Sequence, residues 1–138
     1  MKAIIPYLNF TGQAKEALAL YSKALNGQVV FSQTYAESGQ ETNSEMQDKI
    51  MHASFVAGDL NILVSDVEKH QVVIGDNISL SMDFDNPEEQ EKVFIALSEG
   101  ANIVMPLEDT FWGARFGMLK DKFGITWMFN YDYPKDGK

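Results

Sequence analysis

The spacing of apolar and polar positions along this chain changes period several times, and each change marks an element. Residues 4–10 form a short apolar run of β-formers and predict a strand, broken by Thr11-Gly12. Over residues 14–26, Ala17, Leu18, Tyr21 and Leu25 recur at helical spacing. This predicts an amphipathic helix, which Gly27 is expected to stop in the left-handed region. Strands are predicted over 28–35, 49–57 and 60–65, the last two joined by a tight turn at Gly58-Asp59. Residues 36–48 are polar, with Gly, Asn and Ser, and read as a loop.

A polar linker over 66–76 contains His70, and after it the pattern restarts. Residues 77–84 alternate cleanly and predict a strand. Asp85-Asn86-Pro87-Glu88-Glu89 is a helix start: an Asx cap, a proline in the first turn, then acids at the positive end of the dipole. Val93, Phe94 and Leu97 supply that helix's apolar stripe, and Gly100 ends it. Residues 102–106, 114–120 and 125–131 predict three more strands, and 132–138 a frayed polar tail. The chain therefore reads βαβββ twice, with modules over about 1–66 and 77–133. The fold class expected is α+β, a single domain over 1–138. Each module's helix covers one face of a mixed sheet, and the two sheets curve around a cleft.

Face assignments follow from the two-residue period of strands. In residues 77–84, Asn77, Ser79, Ser81 and Asp83 share a polar face that should line the cleft, and Ile78, Leu80, Met82 and Phe84 share the helix face. By the same rule Ile5, Tyr7 and Asn9 face the cleft, with Leu8 and Phe10 in the core. His52 and Ser54 lie together, opposite Met51, Ala53 and Phe55. Trp127 and Phe129 alternate with Met128 and are expected under the helices.

Bulk properties narrow the chemistry. The chain has 138 residues, 45% of them hydrophobic, enough for an ordinary core. A formal charge of −9 disfavours nucleic acid and anionic membranes as partners. The absence of cysteine excludes disulfides, thiolate catalysis and Cys-ligated zinc. No apolar run approaches the roughly 20 residues of a membrane span, and the N-terminus reads as a strand, so a cytoplasmic protein is expected.

Several stretches resemble a known family. Ile5-Pro-Tyr-Leu-Asn-Phe, Ala17-Leu-Ala-Leu-Tyr-Ser-Lys-Ala-Leu, Asp48-Lys-Ile-Met-His-Ala and Phe111-Trp-Gly-Ala-Arg-Phe-Gly-Met-Leu-Lys-Asp-Lys-Phe-Gly are similar to the PhnB-like subgroup of the vicinal-oxygen-chelate superfamily. That superfamily includes glyoxalases, bleomycin-resistance proteins and extradiol dioxygenases. The resemblance covers essentially the whole chain and implies paired βαβββ modules and a homodimer. Some members of the subgroup carry a ubiquinone-pathway methyltransferase label, but no glycine-rich nucleotide loop follows a strand and opens a helix here.

Metal-using relatives place two His and two Glu-type ligands on four cleft strands. The corresponding positions here are Ile5, Ile62 or Leu63, Ser79 (or Asn77 on the same face) and Met128, none a good ligand for a divalent metal. No cofactor is therefore expected. A weak metal site using His52 and a carboxylate is the alternative.

The candidate ligand-binding residues are Tyr7, Asn9, His52, Ser79, Phe111, Trp112, Arg115 and Met118, with Tyr35 a weaker one. Arg115 lies in an aromatic strand and needs a carboxylate or a ligand anion, so it is an anchor or a structural ion pair at the dimer interface. Phe111, Trp112, Phe116 and Met118 form a ligand wall, or plain core or interface. His52 is the candidate catalytic residue, a general base near neutral pH or a cross-sheet hydrogen-bonding group. The leading function is binding of a small molecule in a metal-free cleft. The alternatives are a lyase, isomerase or dioxygenase-type enzyme, metal-dependent or based on His52, and a non-catalytic oligomerisation or regulatory module.

Overall fold

The computed structural model describes residues 1–39 and 42–135, and these divide into two compact units, Met1–Val73 and Ile74–Lys138. The boundary falls inside the polar stretch expected to link the modules. Each unit carries one four-stranded mixed sheet of the same topology.

In the first unit β1 (Tyr7–Phe10), α1 (Ala14–Leu25), β2 (Gln28–Thr34), β3 (Ile50–Ala57) and β4 (Leu60–Asp66) build a sheet of order β1-β4-β3-β2. β1 runs parallel to β4, and the remaining pairs are antiparallel. α1 buries Ala14, Ala17, Leu18, Tyr21 and Ala24, the face expected from its spacing. It meets the side of the sheet holding Leu8, Phe10, Ala53, Phe55, Ile62 and Val64, all buried.

The helix ends one residue earlier than its glycine suggests. Asn26 takes the left-handed conformation (φ 52°), a role asparagine tolerates. Gly27 is needed for a different reason. A Cβ there would stand 2.5 Å from both Phe55 Cζ and the Val56 carbonyl oxygen, so the residue is small because β3 passes against it.

A four-residue helix, α2 (Tyr35–Ser38), replaces the end of the expected strand and the start of the expected loop. Thr34 and Glu37 close a capping box around it, Thr34 Oγ1 accepting from the Glu37 N–H and Glu37 Oε1 accepting from the Thr34 N–H. Tyr35 is buried, and its hydroxyl donates to the Asp66 carbonyl at 2.7 Å. It is a core residue and not a wall of any site. Burial, then the nearby Glu68 and Asp66 charges, hold its phenol above the ordinary range.

The second unit repeats the plan with β5 (Leu80–Phe84), α3 (Pro87–Leu97), β6 (Asn102–Asp109), β7 (Ala114–Lys120) and β8 (Thr126–Asp132), in the order β5-β8-β7-β6. Asn86 caps α3 by accepting from the Glu89 N–H at 2.7 Å, with Pro87 in the first turn. Gln90, Val93, Phe94 and Leu97 are the buried face. Trp127 and Phe129 are fully buried beneath it, and Phe94 meets Phe129 edge-on at 4.9 Å. Burying such an aromatic side chain contributes roughly 2–3 kcal/mol.

β5 begins three residues later than its alternation suggests, and Ile78, expected on the helix face, is exposed ahead of it. β6 runs beyond Pro106 to Asp109, with two register shifts. An edge strand tolerates such a proline because one side of its backbone has no partner to serve. Of the tail expected over 132–138, Asp132 is still in β8 and residues 136–138 lie outside the described residues.

One buried carboxylate organises each unit. Asp66, read from sequence as the first linker residue, ends β4 at 1% exposure. Its Oδ1 accepts from the Ala14 N–H at the start of α1, and its Oδ2 from the Ile50 N–H at the start of β3, both at 3.0 Å. Asp121 folds the β7–β8 turn. Its Oδ1 accepts from the Phe123 and Ile125 N–H groups at 2.9 and 3.0 Å, and its Oδ2 from the Trp127 indole N–H at 2.9 Å.

Candidate functional site

With helices over one face of each sheet, the other face is where exposed chemistry collects. In the first unit β1 presents Tyr7 and Asn9 on that face, both exposed, while Leu8 and Phe10 turn to the helix. The ladder then fixes their neighbours, since residues paired across strands share a face. Tyr7 pairs with Leu63, Leu63 with Ser54 and Ser54 with Phe31. Asn9 pairs with Ser65, and His52 with Gln33.

The centre of this patch is a hydrogen bond of 2.9 Å between the Tyr7 hydroxyl and His52 Nδ1. The Tyr7 and His52 rings are 5.7 Å apart and tilted, and Phe31 flanks His52 at 6.1 Å. Ser65 Oγ donates to Asn9 Oδ1 at 3.1 Å. A β-bulge between the Gln33–His52 and Thr34–Ile50 pairs makes this arrangement possible, turning Ile50 into the core while His52 stays on the open face. Three of the eight sequence candidates, Tyr7, Asn9 and His52, thus come together. Phe31 and Ser65 were missed. Phe31 had no local signal, because the bulge at Val30 shifts the strand's alternation.

The other five candidates are in the second unit. Met118 lies on the open face, between Met105 and Met128 across the ladder. Ser79 precedes β5, half-buried and outside any strand. Phe111 and Trp112 occupy the tip of the β6–β7 hairpin at 97% and 60% exposure, their rings edge-on at 4.9 Å. They are not core.

Arg115 points the other way. It pairs with Tyr131, on the helix side of the sheet, and its Nη2 donates to Glu91 Oε1 of α3 at 2.7 Å. Its Nη1 donates to the Pro87 carbonyl at 3.3 Å. The carboxylate it needs comes from its own unit, from Glu91 of α3. Gln90 adds a further tie, its side-chain N–H donating to the Arg115 carbonyl at 2.8 Å. Nearby, the Tyr133 hydroxyl donates to Asp109 Oδ1 at 2.5 Å, a bond that holds the phenol above its ordinary range.

Comparison with known proteins places this geometry. The family described as 3-demethylubiquinone-9 3-methyltransferase matches residues 2–129. YjdN of Escherichia coli K12 is 30% identical over 135 residues, covering 91% of this chain and 92% of YjdN. The chain belongs to the PhnB-like family.

Among solved structures, PA1353 of Pseudomonas aeruginosa superposes on this PhnB-like chain with a TM-score of 0.85 at 35% identity, covering 97% of this chain and 100% of PA1353. A putative 3-demethylubiquinone-9 3-methyltransferase, PhnB protein, of Bacillus cereus has a TM-score of 0.79 at 24% identity, covering 96% and 100%. The βαβββ fold of the units is that of glyoxalase/bleomycin-resistance proteins.

The resemblance to the vicinal-oxygen-chelate superfamily implies a divalent metal in some members. Among the described residues no group of three or more His, Asp or Glu side chains is placed to hold a metal ion, so the donors present do not fit one. Among the same residues no helix is long and apolar enough to cross a membrane.

Proposed function

We propose that this PhnB-like protein binds a small, partly aromatic molecule without a metal, and that Tyr7, Asn9 and His52 provide the recognition. The observation that carries this reading is the Tyr7–His52 hydrogen bond, set on an open sheet face beside Phe31. A phenol is a better donor than acceptor, so the Tyr7 O–H donates to Nδ1 and the imidazole proton sits on Nε2. His52 then offers an N–H donor to a ligand acceptor, a carbonyl or similar oxygen. The Tyr7 and Phe31 rings, 45% and 51% exposed, supply stacking area, and the Asn9 amide a second polar contact.

A ligand anion gains nothing from Arg115 in this patch, because that guanidinium is committed to Glu91 on the helix side of the other unit. An enzyme with His52 as general base has less support. The Nδ1 partner is a phenol, where a strong base is usually oriented by a carboxylate. Homodimerisation and a cytoplasmic location belong to the same reading. Light scattering on the purified protein tests the first.

A thermal-shift screen of carbonyl-bearing aromatic compounds, followed by calorimetry on the parent, Tyr7→Phe and His52→Ala proteins, tests the site. The expected result is saturable binding that weakens about tenfold or more when His52 is removed, the equivalent of one hydrogen bond of about 1.4 kcal/mol. Ligands that bind His52→Ala as tightly as the parent, or no stabilising ligand at all, would refute the assignment.

A further inference from the structure

We infer a second binding site, separate from the Tyr7–His52 patch, for a lipophilic organic cation in the groove beneath the β6–β7 hairpin tip. The groove has a volume of about 340 Å³, and all of its lining belongs to the second unit. Its character is unusual in one respect. Phe111, Trp112 and Phe116 give it three aromatic walls, and Met105 an adaptable floor. Glu108 gives it a carboxylate, and no lysine or arginine lines it.

The strand register explains how these groups meet. Glu108 pairs with Phe116 and Met105 with Met118, so acid, ring and thioether stand on one face of the ladder. The Phe111 and Trp112 rings, edge-on at 4.9 Å, project from the tip at one end. Large aromatic side chains at 97% and 60% exposure are costly to leave in water, and Glu108 in the same groove disfavours an anionic occupant. Aromatic faces attract cations through their quadrupoles, best of all at tryptophan, and a flanking carboxylate adds charge pairing. The Arg115 guanidinium is on the opposite, helix-facing side of the sheet, held by Glu91 and the Pro87 carbonyl. The ligand class that satisfies the rings and Glu108 together is a delocalised or quaternary cation with an aromatic body.

Tetraphenylphosphonium and tetraphenylborate test this, because they match in shape and differ in sign. The chain has two tryptophans, and Trp127 is fully buried, so quenching of Trp112 fluorescence localises binding to the hairpin. Calorimetry gives the affinity in variants. The expected result is saturable binding of the phosphonium with Trp112 quenching, little or none of the borate, and an affinity at least about fivefold weaker in Trp112→Ala and in Glu108→Gln. His52→Ala should bind the phosphonium as the parent does, which separates this site from the one proposed above.

Because the whole protein is acidic, Glu88→Gln, the same charge change on an exposed position of α3 outside the groove, serves as the control and should leave affinity unchanged. The inference is overturned if both ions bind alike or the phosphonium does not bind. It is equally overturned if Glu88→Gln weakens binding as much as Glu108→Gln, which would leave only the overall field of the protein.

Discussion

Replacing Asp66 by asparagine tests how the first unit is closed. The carboxylate is 1% exposed and divides its two oxygens between two backbone donors, the Ala14 N–H of α1 and the Ile50 N–H of β3, each at 3.0 Å. Asparagine keeps the volume and one acceptor. Its amide nitrogen must then face a backbone N–H, so one charge-assisted bond is lost and two donors oppose each other. A hydrogen bond to a charged group contributes about 1.5–3 kcal/mol, and stranding a buried donor costs about 1–3 kcal/mol. The neutral amide is cheaper to bury than a carboxylate, which offsets part of the loss. The net expectation for Asp66→Asn is a destabilisation of about 2–4 kcal/mol, seen as a lower urea midpoint with an unchanged slope in circular dichroism. Asp66→Leu strands both N–H groups and should be worse. A midpoint for Asp66→Asn within about 0.5 kcal/mol of the parent would mean that water or a local shift satisfies these donors, and that the clamp is not structural.

Four further outcomes follow from the same contacts. Asp121→Asn should cost about 2–3 kcal/mol in the same assay and shift the emission of Trp127, whose indole N–H loses its acceptor Oδ2, while Trp112 emission is unaffected. Gly27→Ala should destabilise by at least about 2 kcal/mol by urea titration, because its Cβ meets a backbone oxygen at 2.5 Å that cannot swing away. Asn26→Ala should lower stability by about 1 kcal/mol and Asn26→Gly should not, since only the former strains the left-handed residue. The Thr34 backbone and side-chain hydrogen bonds hold the Glu37 carboxyl below the usual carboxylate range. A carboxyl depressed in the folded state contributes stability above its unfolded value and loses it as pH falls through the folded one. NMR titration should therefore show Glu37 below the usual carboxylate range, and Thr34→Ala, which removes the side-chain bond but keeps the backbone N–H donor, should move it only part of the way back.

The elements that the sequence disclosed are those governed by local rules. α1 and β7 start where spacing puts them, the α3 cap is read directly from Asn86-Pro87, and the double βαβββ order follows from two restarts of one pattern. α2 was also legible, since Thr34 and Glu37 stand at capping-box spacing ahead of a turn, but a strand-like composition concealed it. What stayed hidden depends on partners distant along the chain. Nothing near Asp66 announces that its oxygens belong to residues 14 and 50. Arg115 looks alike from sequence whether it faces a ligand or Glu91. The bulges at Val30 and Met51 reset which side chains share a face, so alternation carried Tyr7 and Asn9 to the right side but could not place Phe31.

The parallel pairing of β1 with β4 and of β5 with β8 has a consequence for the order in which the protein can be made. In each unit the first strand synthesised occupies an edge and waits for the last, which enters the interior of the sheet between two neighbours. The first ladder can close once Asp66 has emerged. β5 remains without its partner until residues 126–132 exist, a delay of roughly 2–10 s at about 5–20 residues per second. During that interval the Leu80, Met82 and Phe84 side of β5 has no β8 beside it, so a nascent chain stalled before residue 126 presents an apolar strand edge to any chaperone or neighbouring chain that can pair with it.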